Sequence, residues 1–397
     1  MTGFCSRSAS IIAAALAVAM IFSAPKALGA PHIPADDAQV IERLPVALLA
    51  LQRVSPPVGA KDVSVEAALA SARRYVELGQ TYSDPRAYGY AQAALGKWWS
   101  ADPAPAEVLV MRARILQFRH EFDAALAQLE PALRSDEFNP DAWLLFASIS
   151  QVRGNVRAAR AACLKLIPIS DPLVGATCAA STAALSGNAT DAEPLLRNAL
   201  DDSSAATPAE RTWAWTILAE MRAASDNASG ARTAFEQALR VSPDDVYARA
   251  AFSDLLLDSG DVRQARTILG DDPSRADALL LRAAIAAQRA GDADASALRD
   301  TLSQRFAEAR ARGDDTHLRE QARFSLDVEH DTAGALDLAQ RNFKAQREPA
   351  DARLLFEAAD AAGDARAAQP ALSWLKETGI RSPHLRKLAR RVESGSR

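Results

Sequence analysis

A chain of 397 residues with 49% hydrophobic, 24% charged and only 6% aromatic residues can bury a sizeable core, but it must build that core from small side chains. This suits many short, closely packed helices and leaves little for strands. A formal net charge of -4, with no lysine and arginine cluster of the kind that neutralises phosphates, argues against a nucleic-acid binder.

The first segment, residues 1–30, reads as an export signal. Arg7 precedes an apolar run from Ile11 to Phe22, and the small residues Ala27, Gly29 and Ala30 stand before Pro31, which places cleavage after Ala30. The run falls short of the roughly 20 residues that a membrane span needs, so no stable membrane insertion is expected after cleavage. Cys5 lies ahead of the run rather than at its end, which disfavours a lipid anchor. Removing Arg7 and Lys26 with this segment leaves 44 of the 46 basic residues against 50 acidic ones, a net charge of -6. With the Ala- and Arg-rich composition, the expectation is an exported chain in a bacterial periplasm. Residues 31–62 carry Pro31, Pro34, Pro45, Pro56 and Pro57 around the apolar stretch Val46 to Leu51, and read as a Pro-rich leader, partly extended.

From Val63 a repeat takes over, with similar residues returning at an interval of about 34. The first unit holds Tyr75, Leu78-Gly79, Tyr82, Ala91, Leu95 and Pro103, and the second Leu109, Ala113, Leu116, Ala125, Leu129 and Ala132. The third has Trp143, Phe146-Ala147, a turn at Gly154, Ala159 and Cys163. The fourth has Ala180, a turn at Gly187, Ala192, Leu196 and Ala199. A polar insertion from Asp201 to Pro208 precedes the fifth unit, with Trp215, Leu218-Ala219, Ala231, Phe235, Ala238 and Pro243. Phe252-Ser253, Gly260, Ala265 and Leu269 make the sixth. Leu280, Ala283-Ala284 and Gly291 open the seventh, whose second helix extends to Arg312. Beyond Thr316 the register weakens, because Arg323 and Phe356 fall where a small residue belongs. Two degenerate hairpins, with turns near His330 and Gly363, and a capping helix from about Pro383 complete the chain.

This pattern resembles the tetratricopeptide repeat family, in which an aromatic, Leu-Gly and Tyr on a first helix are followed by Ala, a bulky apolar residue and Pro. The resemblance implies an all-α, right-handed superhelical solenoid of about nine helical hairpins over residues 63–395. Each hairpin is too small to bury its own apolar face, so neighbours share one core. In that family the first helices line a concave groove. Carrying those positions over implies Arg114, Gln117 and Phe118 in the second unit, Gln151 in the third, Trp213 and Glu220 in the fifth, and Tyr247, Asp254 and Asp258 in the sixth. Exposed aromatics flanked by carboxylates suit an extended or helical peptide carrying basic residues, whereas Trp213 and Tyr247 packed against the preceding hairpin would be ordinary core. The Lys and Asn clamp by which some members grip a chaperone's C-terminal carboxylate is missing: Val110/Arg114, Leu144/Ser148 and Thr177/Ser181 stand there.

With Cys5 gone, Cys163 and Cys178 remain, 15 residues apart, on the second helix of one hairpin and the first helix of the next. Such helices pack together, so a disulfide is geometrically open, as is a pair of buried thiols acting as small apolar residues. His32, His120, His317, His330 and His384 are scattered, with no His-Glu-x-x-His pair, so no metal is expected. Nucleophile-elbow, phosphate-loop and dinucleotide-binding patterns are absent. Asp201-Asp202, Asp244-Asp245 and Asp271-Asp272 fall where helices end and begin, as caps do. The Asn188 and Asn227 sequons fall on hairpin turns, and His120 and His330 read as solvated turn residues. No cofactor and no catalysis are expected. The chain is read as a protein or peptide binder of the cell envelope, or as an accessory subunit of an envelope assembly or polysaccharide-export complex.

Overall fold

The computed structural model describes residues 63–395 apart from Ser83, Asp84, Ser204 and Asp315, together with Asp36. The export signal, and the leader except for Asp36, lie outside the described residues. Every regular element among the described residues is helical.

Among the described residues nine hairpins follow one another: α1 (Val65–Tyr82) with α2 (Arg86–Leu95), α3 (Ala106–Phe118) with α4 (Phe122–Ser135), and α5 (Pro140–Val152) with α6 (Val156–Leu166). Next come α7 (Pro172–Ala184) with α8 (Ala189–Asp201), α9 (Pro208–Ala224) with α10 (Ala228–Val241), and α11 (Val246–Asp258) with α12 (Val262–Leu269). The last three are α13 (Asp277–Ala290) with α14 (Ala295–Ala311), α15 (Leu318–Phe324) with α16 (Thr332–Ala345), and α17 (Pro349–Ala362) with α18 (Gln369–Thr378), capped by α19 (Pro383–Gly395). Within each hairpin the two helices pack together, and each first helix also packs on the first helix of the next. The odd-numbered helices α1 to α17 therefore form a continuous inner layer.

Small residues make this stacking possible. Ala113, Ala147, Ala219 and Ser253 on first helices, and Ala125, Ala159, Ala231 and Ala265 on second helices, are completely buried, so backbones approach closely where helices cross. Larger side chains fill the spaces between hairpins: Phe235 stacks on Phe252 with ring centroids 5.3 Å apart, across the fifth and sixth units.

One turn recurs through the array. A residue in the left-handed region ends the first helix, and the next residue sends its N–H back to a carbonyl of that helix. Gly154 (φ 74) is followed by Asn155 N to Ser150 O at 2.8 Å, and Asp226 (φ 64) by Asn227 N to Arg222 O at 2.9 Å. His120 and His330 (φ 58 and 57) take the same place. The second residue then caps the following helix: Asn155, Asn227, Asp261 and Asp331 each accept a hydrogen bond from a first-turn N–H. Orphan carbonyls and orphan N–H groups are thus satisfied within two residues.

The eighth unit departs from expectation for a local reason. A π-helical turn, Ser325–Glu329, follows α15 and inserts an extra residue before the His330 turn. Ala322, fully buried, takes the crossing position, and Arg323 is rotated toward the inner face. In the ninth unit Phe356 is itself fully buried, among Ala352, Ala358 and Ala359.

The array curves until its C-terminal hairpins meet the turns of units two to four. Arg347 N donates to Val152 O (2.7 Å), Arg153 Nη1 to Ala345 O (3.1 Å), and Gln346 Nε2 lies 3.1 Å from His120 Nδ1. Gly187 sits at this seam with φ +74, where an added Cβ would lie 2.4 Å from Gly379 O. Gly260 has a similar φ of +80 but open space around it. Gly260→Ala is therefore expected to cost only the left-handed strain, about 1–2 kcal/mol. Gly187→Ala is expected to cost more and to raise the radius of gyration in small-angle scattering. Equal costs and unchanged scattering for both variants would show that the seam does not close the array.

Candidate functional site

The inner layer places the expected groove residues, and most prove to be wired into the array. Arg114 lies 3.7 Å from Asp141, Gln117 Nε2 reaches Ser148 Oγ at 3.5 Å, and Gln151 Nε2 donates to Ser181 Oγ (2.9 Å) and Thr182 Oγ1 (2.6 Å). These polar rungs join consecutive first helices. Phe118 stacks on Tyr88 with centroids 4.1 Å apart. Trp213 is half-buried, packed on the cluster around Cys163 and Cys178. Cys163 and Cys178 themselves form a disulfide between α6 and α7, with Cα atoms 5.6 Å apart.

Two of the carboxylates already hold cations of the chain itself. Asp254 accepts from Arg282 Nη2 at 2.8 Å and from Arg323 Nη1 at 2.6 Å. Burial pushes this carboxyl up, but the two guanidinium groups outweigh it and hold it at about 2. Asp258 Oδ1 accepts from Arg353 Nη2 at 2.7 Å, and Arg353 also donates to Glu357 Oε1 at 2.8 Å. Arg323 and Arg353 reach across from α15 and α17, so they tie unit six to units eight and nine. Sequence reasoning did not single out these arginines as inner-face residues. For Arg323 the signal was the weakened register itself, a charged residue where the repeat calls for a small one; Arg353 had no such mark.

Tyr247 and Glu220 are different. Tyr247 is 61% exposed, and its hydroxyl donates to Glu220 Oε1 at 2.6 Å. Withdrawal from water is the main cause that raises Glu220 to about 7, with Glu348 adding to it while the Tyr247 hydrogen bond and Arg319 oppose. The Glu220 charge in turn pushes the phenol well above its usual value, so Tyr247 stays a donor. Arg319 donates to Glu348 and, through Nε, to Asp351 Oδ1 at 2.6 Å.

His120 is half-buried rather than solvated. It stacks on Phe122 with centroids 5.3 Å apart, and burial lowers it to about 4. The seam thus carries a neutral imidazole.

The raised Glu220 has a consequence for stability. Its folded value, about 7, lies above the ordinary 4.5, so between these pH values the folded protein binds more protons than the unfolded chain and stability falls as pH rises. Glu220→Gln removes the titration while keeping an acceptor for Tyr247. It is expected to be more stable than the parent above pH 7, by about 1–2 kcal/mol for a half-buried group, and equal to it below pH 4.5. Melting temperatures across this range check the sign.

Residues 222–287 match the family model described as a tetratricopeptide repeat. That stretch is a tetratricopeptide repeat by this match, and the array of hairpins around it resembles the same family. The matched stretch contains Tyr247, Asp254 and Asp258. Three solved structures illustrate the likeness. PilW, titled a widely conserved type IV pilus biogenesis factor, is 20% identical, covers 51% of this chain and 94% of its own, and has a TM-score of 0.41. A tetratricopeptide repeat protein from Parabacteroides merdae is 17% identical over 63% and 93%, with a TM-score of 0.38. Human IFIT1, solved as a dimer with PPP-AAAA, is 13% identical over 89% and 96%, with a TM-score of 0.46. No curated protein matches the chain. Among the described residues, no helix is long and apolar enough to cross a membrane.

Proposed function

We propose that this chain is a non-catalytic scaffold of the bacterial cell envelope, exported to the periplasm, that binds another protein or a peptide in the groove lined by its first helices. The observation that carries the reading is Tyr247, a large aromatic left 61% exposed on the inner layer beside Glu220. Desolvating such a ring is where interfaces gain most of their energy. The repeat fold agrees, since stacked hairpins present extended concave surfaces suited to partners. The Cys163–Cys178 bridge supports export, because disulfides persist outside the reducing cytosol.

In-cell crosslinking followed by partner identification tests the proposal, with Tyr247→Ala and Trp213→Ala compared with the parent. Capture is expected to fall sharply with Tyr247→Ala. Trp213→Ala is expected to act less directly, because that ring packs on the disulfide cluster. Unchanged capture by Tyr247→Ala would remove this stretch of the groove from the binding role.

A further inference from the structure

Along α11, Tyr247, Asp254 and Asp258 are spaced by seven and four residues, so they lie on one face of the helix. That face repeats one chemistry. Asp258 holds the Arg353 guanidinium through two N–H groups, and Asp254 holds Arg323 as well as Arg282. Arg323 and Arg353 enter from the other end of the array, 69 and 95 residues away in sequence, as side chains of a foreign peptide would. At the third place, toward the N-terminus of α11, stands the Tyr247 ring with the Glu220 carboxylate against its hydroxyl. Among the described residues, the tyrosine hydroxyl is the hydrogen-bond partner of Glu220, and Arg319, whose charge acts on both, is ion-paired with Glu348 and Asp351 instead.

The surrounding charge also asks for a cation. The groups acting electrostatically on Glu220 and Tyr247 are Glu348 and Arg319, besides each other. The Arg319 charge is already matched by Glu348 and the buried Asp351, which leaves the Glu220 carboxylate in excess. An ammonium or guanidinium over a tyrosine face, with a carboxylate at its edge, is a favourable arrangement.

Building on the groove-binding reading above, we propose that Tyr247 and Glu220 form a subsite for one lysine or arginine side chain of an extended partner peptide, continuing the row that Arg323 and Arg353 already fill. The chain's own arginines show which chemistry this face takes, and Tyr247, 61% exposed, offers the ring beside the remaining carboxylate. A cation there needs Glu220 ionised, so binding strengthens as pH rises through about 7.

Fluorescence anisotropy with a labelled oligolysine peptide tests this on the full mature chain, with an oligoglutamate peptide and an Nε-acetylated oligolysine as comparisons. The oligolysine is expected to bind, about tenfold more weakly to Tyr247→Ala and to Glu220→Gln and about equally to Tyr247→Phe, which keeps the ring. Neither comparison peptide is expected to bind. Oligolysine bound equally by the parent, Tyr247→Ala and Glu220→Gln would overturn the subsite. If the acetylated peptide bound as well as the lysine peptide and both were lost in Tyr247→Ala, the basic-side-chain assignment would fall while the groove reading stood. If spermine bound at the subsite and the lysine peptide did not, the peptide assignment would fall.

Discussion

Asp351→Ala is expected to lower the stability of the C-terminal hairpins by about 3–5 kcal/mol, the usual cost of removing one partner from a buried ionic network. The Asp351 side chain is 0% exposed and meets four donors. Oδ1 accepts from Arg319 Nε and Asn342 Nδ2, each at 2.6 Å, and Oδ2 accepts from Arg319 Nη2 and Glu348 N, each at 2.9 Å. These donors come from α15, α16 and the start of α17, so one carboxylate joins three helices. Truncation leaves Asn342, 1% exposed, with a stranded amide whose Oδ1 already lacks a partner. It also leaves Arg319 with Glu348 and Gln346 alone. Gln346 and Arg347 lie in the same stretch and carry the seam, so the loss is expected to spread to the contacts with units two and three. Hydrogen exchange by mass spectrometry reads this directly: α15 to α18 should lose protection while α1 and α2 keep theirs. A repeat array permits such partial unfolding, since each unit is held mainly by its neighbours. Protection unchanged at α15 to α18 would show that the network is not what holds these hairpins.

The hairpin succession was readable because stacking makes a strict local demand, a small residue at each helix crossing, and the chain meets it at Ala113, Ala147 and Ala219. The register failed in the eighth unit, where geometry changed, and in the ninth, where the large Phe356 is itself buried at the crossing. The π turn at Ser325–Glu329 moves the crossing residue from Arg323 to Ala322, and nothing in composition marks such an insertion. The left-handed turn followed by Asn or Asp, as at Gly154-Asn155 and Asp226-Asn227, is the more durable sequence marker, because it is set by backbone hydrogen bonding rather than by packing.

The groove was less legible. Carrying inner-face positions over from the family located Asp254 and Asp258 on the inner helices, but whether an inner residue is free depends on what faces it from the far side. That is set by small rotations summed over several hairpins, which no single spacing contains. Arg323 and Arg353 cancel those two carboxylates, whereas Glu220 is hydrogen-bonded to the exposed Tyr247. The arginines belong to the hairpins whose pattern was weakest. A degenerate repeat is where selection for stacking yields to selection for another contact.

Removing the disulfide is expected to cost about 3 kcal/mol on the chain-entropy account for a 15-residue separation, and its location makes the effect regional. The bridge joins α6 to α7, the boundary between units three and four, and sits in a cluster with Ala147, Leu166 and Val174 under Trp143 and Trp213. Cys163→Ala with Cys178→Ala keeps that cluster apolar, so the loss reports the cross-link more than a buried polar group. Unfolding free energies from denaturant curves of parent and double variant, measured without reductant, should differ by the amount above, and reductant should shift the parent alone. Because the boundary lies between the seam contacts at Val152 and Gly187, exchange protection should fall first in α5 to α8. A thiol assay on denatured, unreduced protein is expected to find Cys163 and Cys178 unreactive. Two reactive thiols in material recovered from the cell envelope would mean that the bridge does not form there, and the stabilisation and the support it lends to export would both be withdrawn.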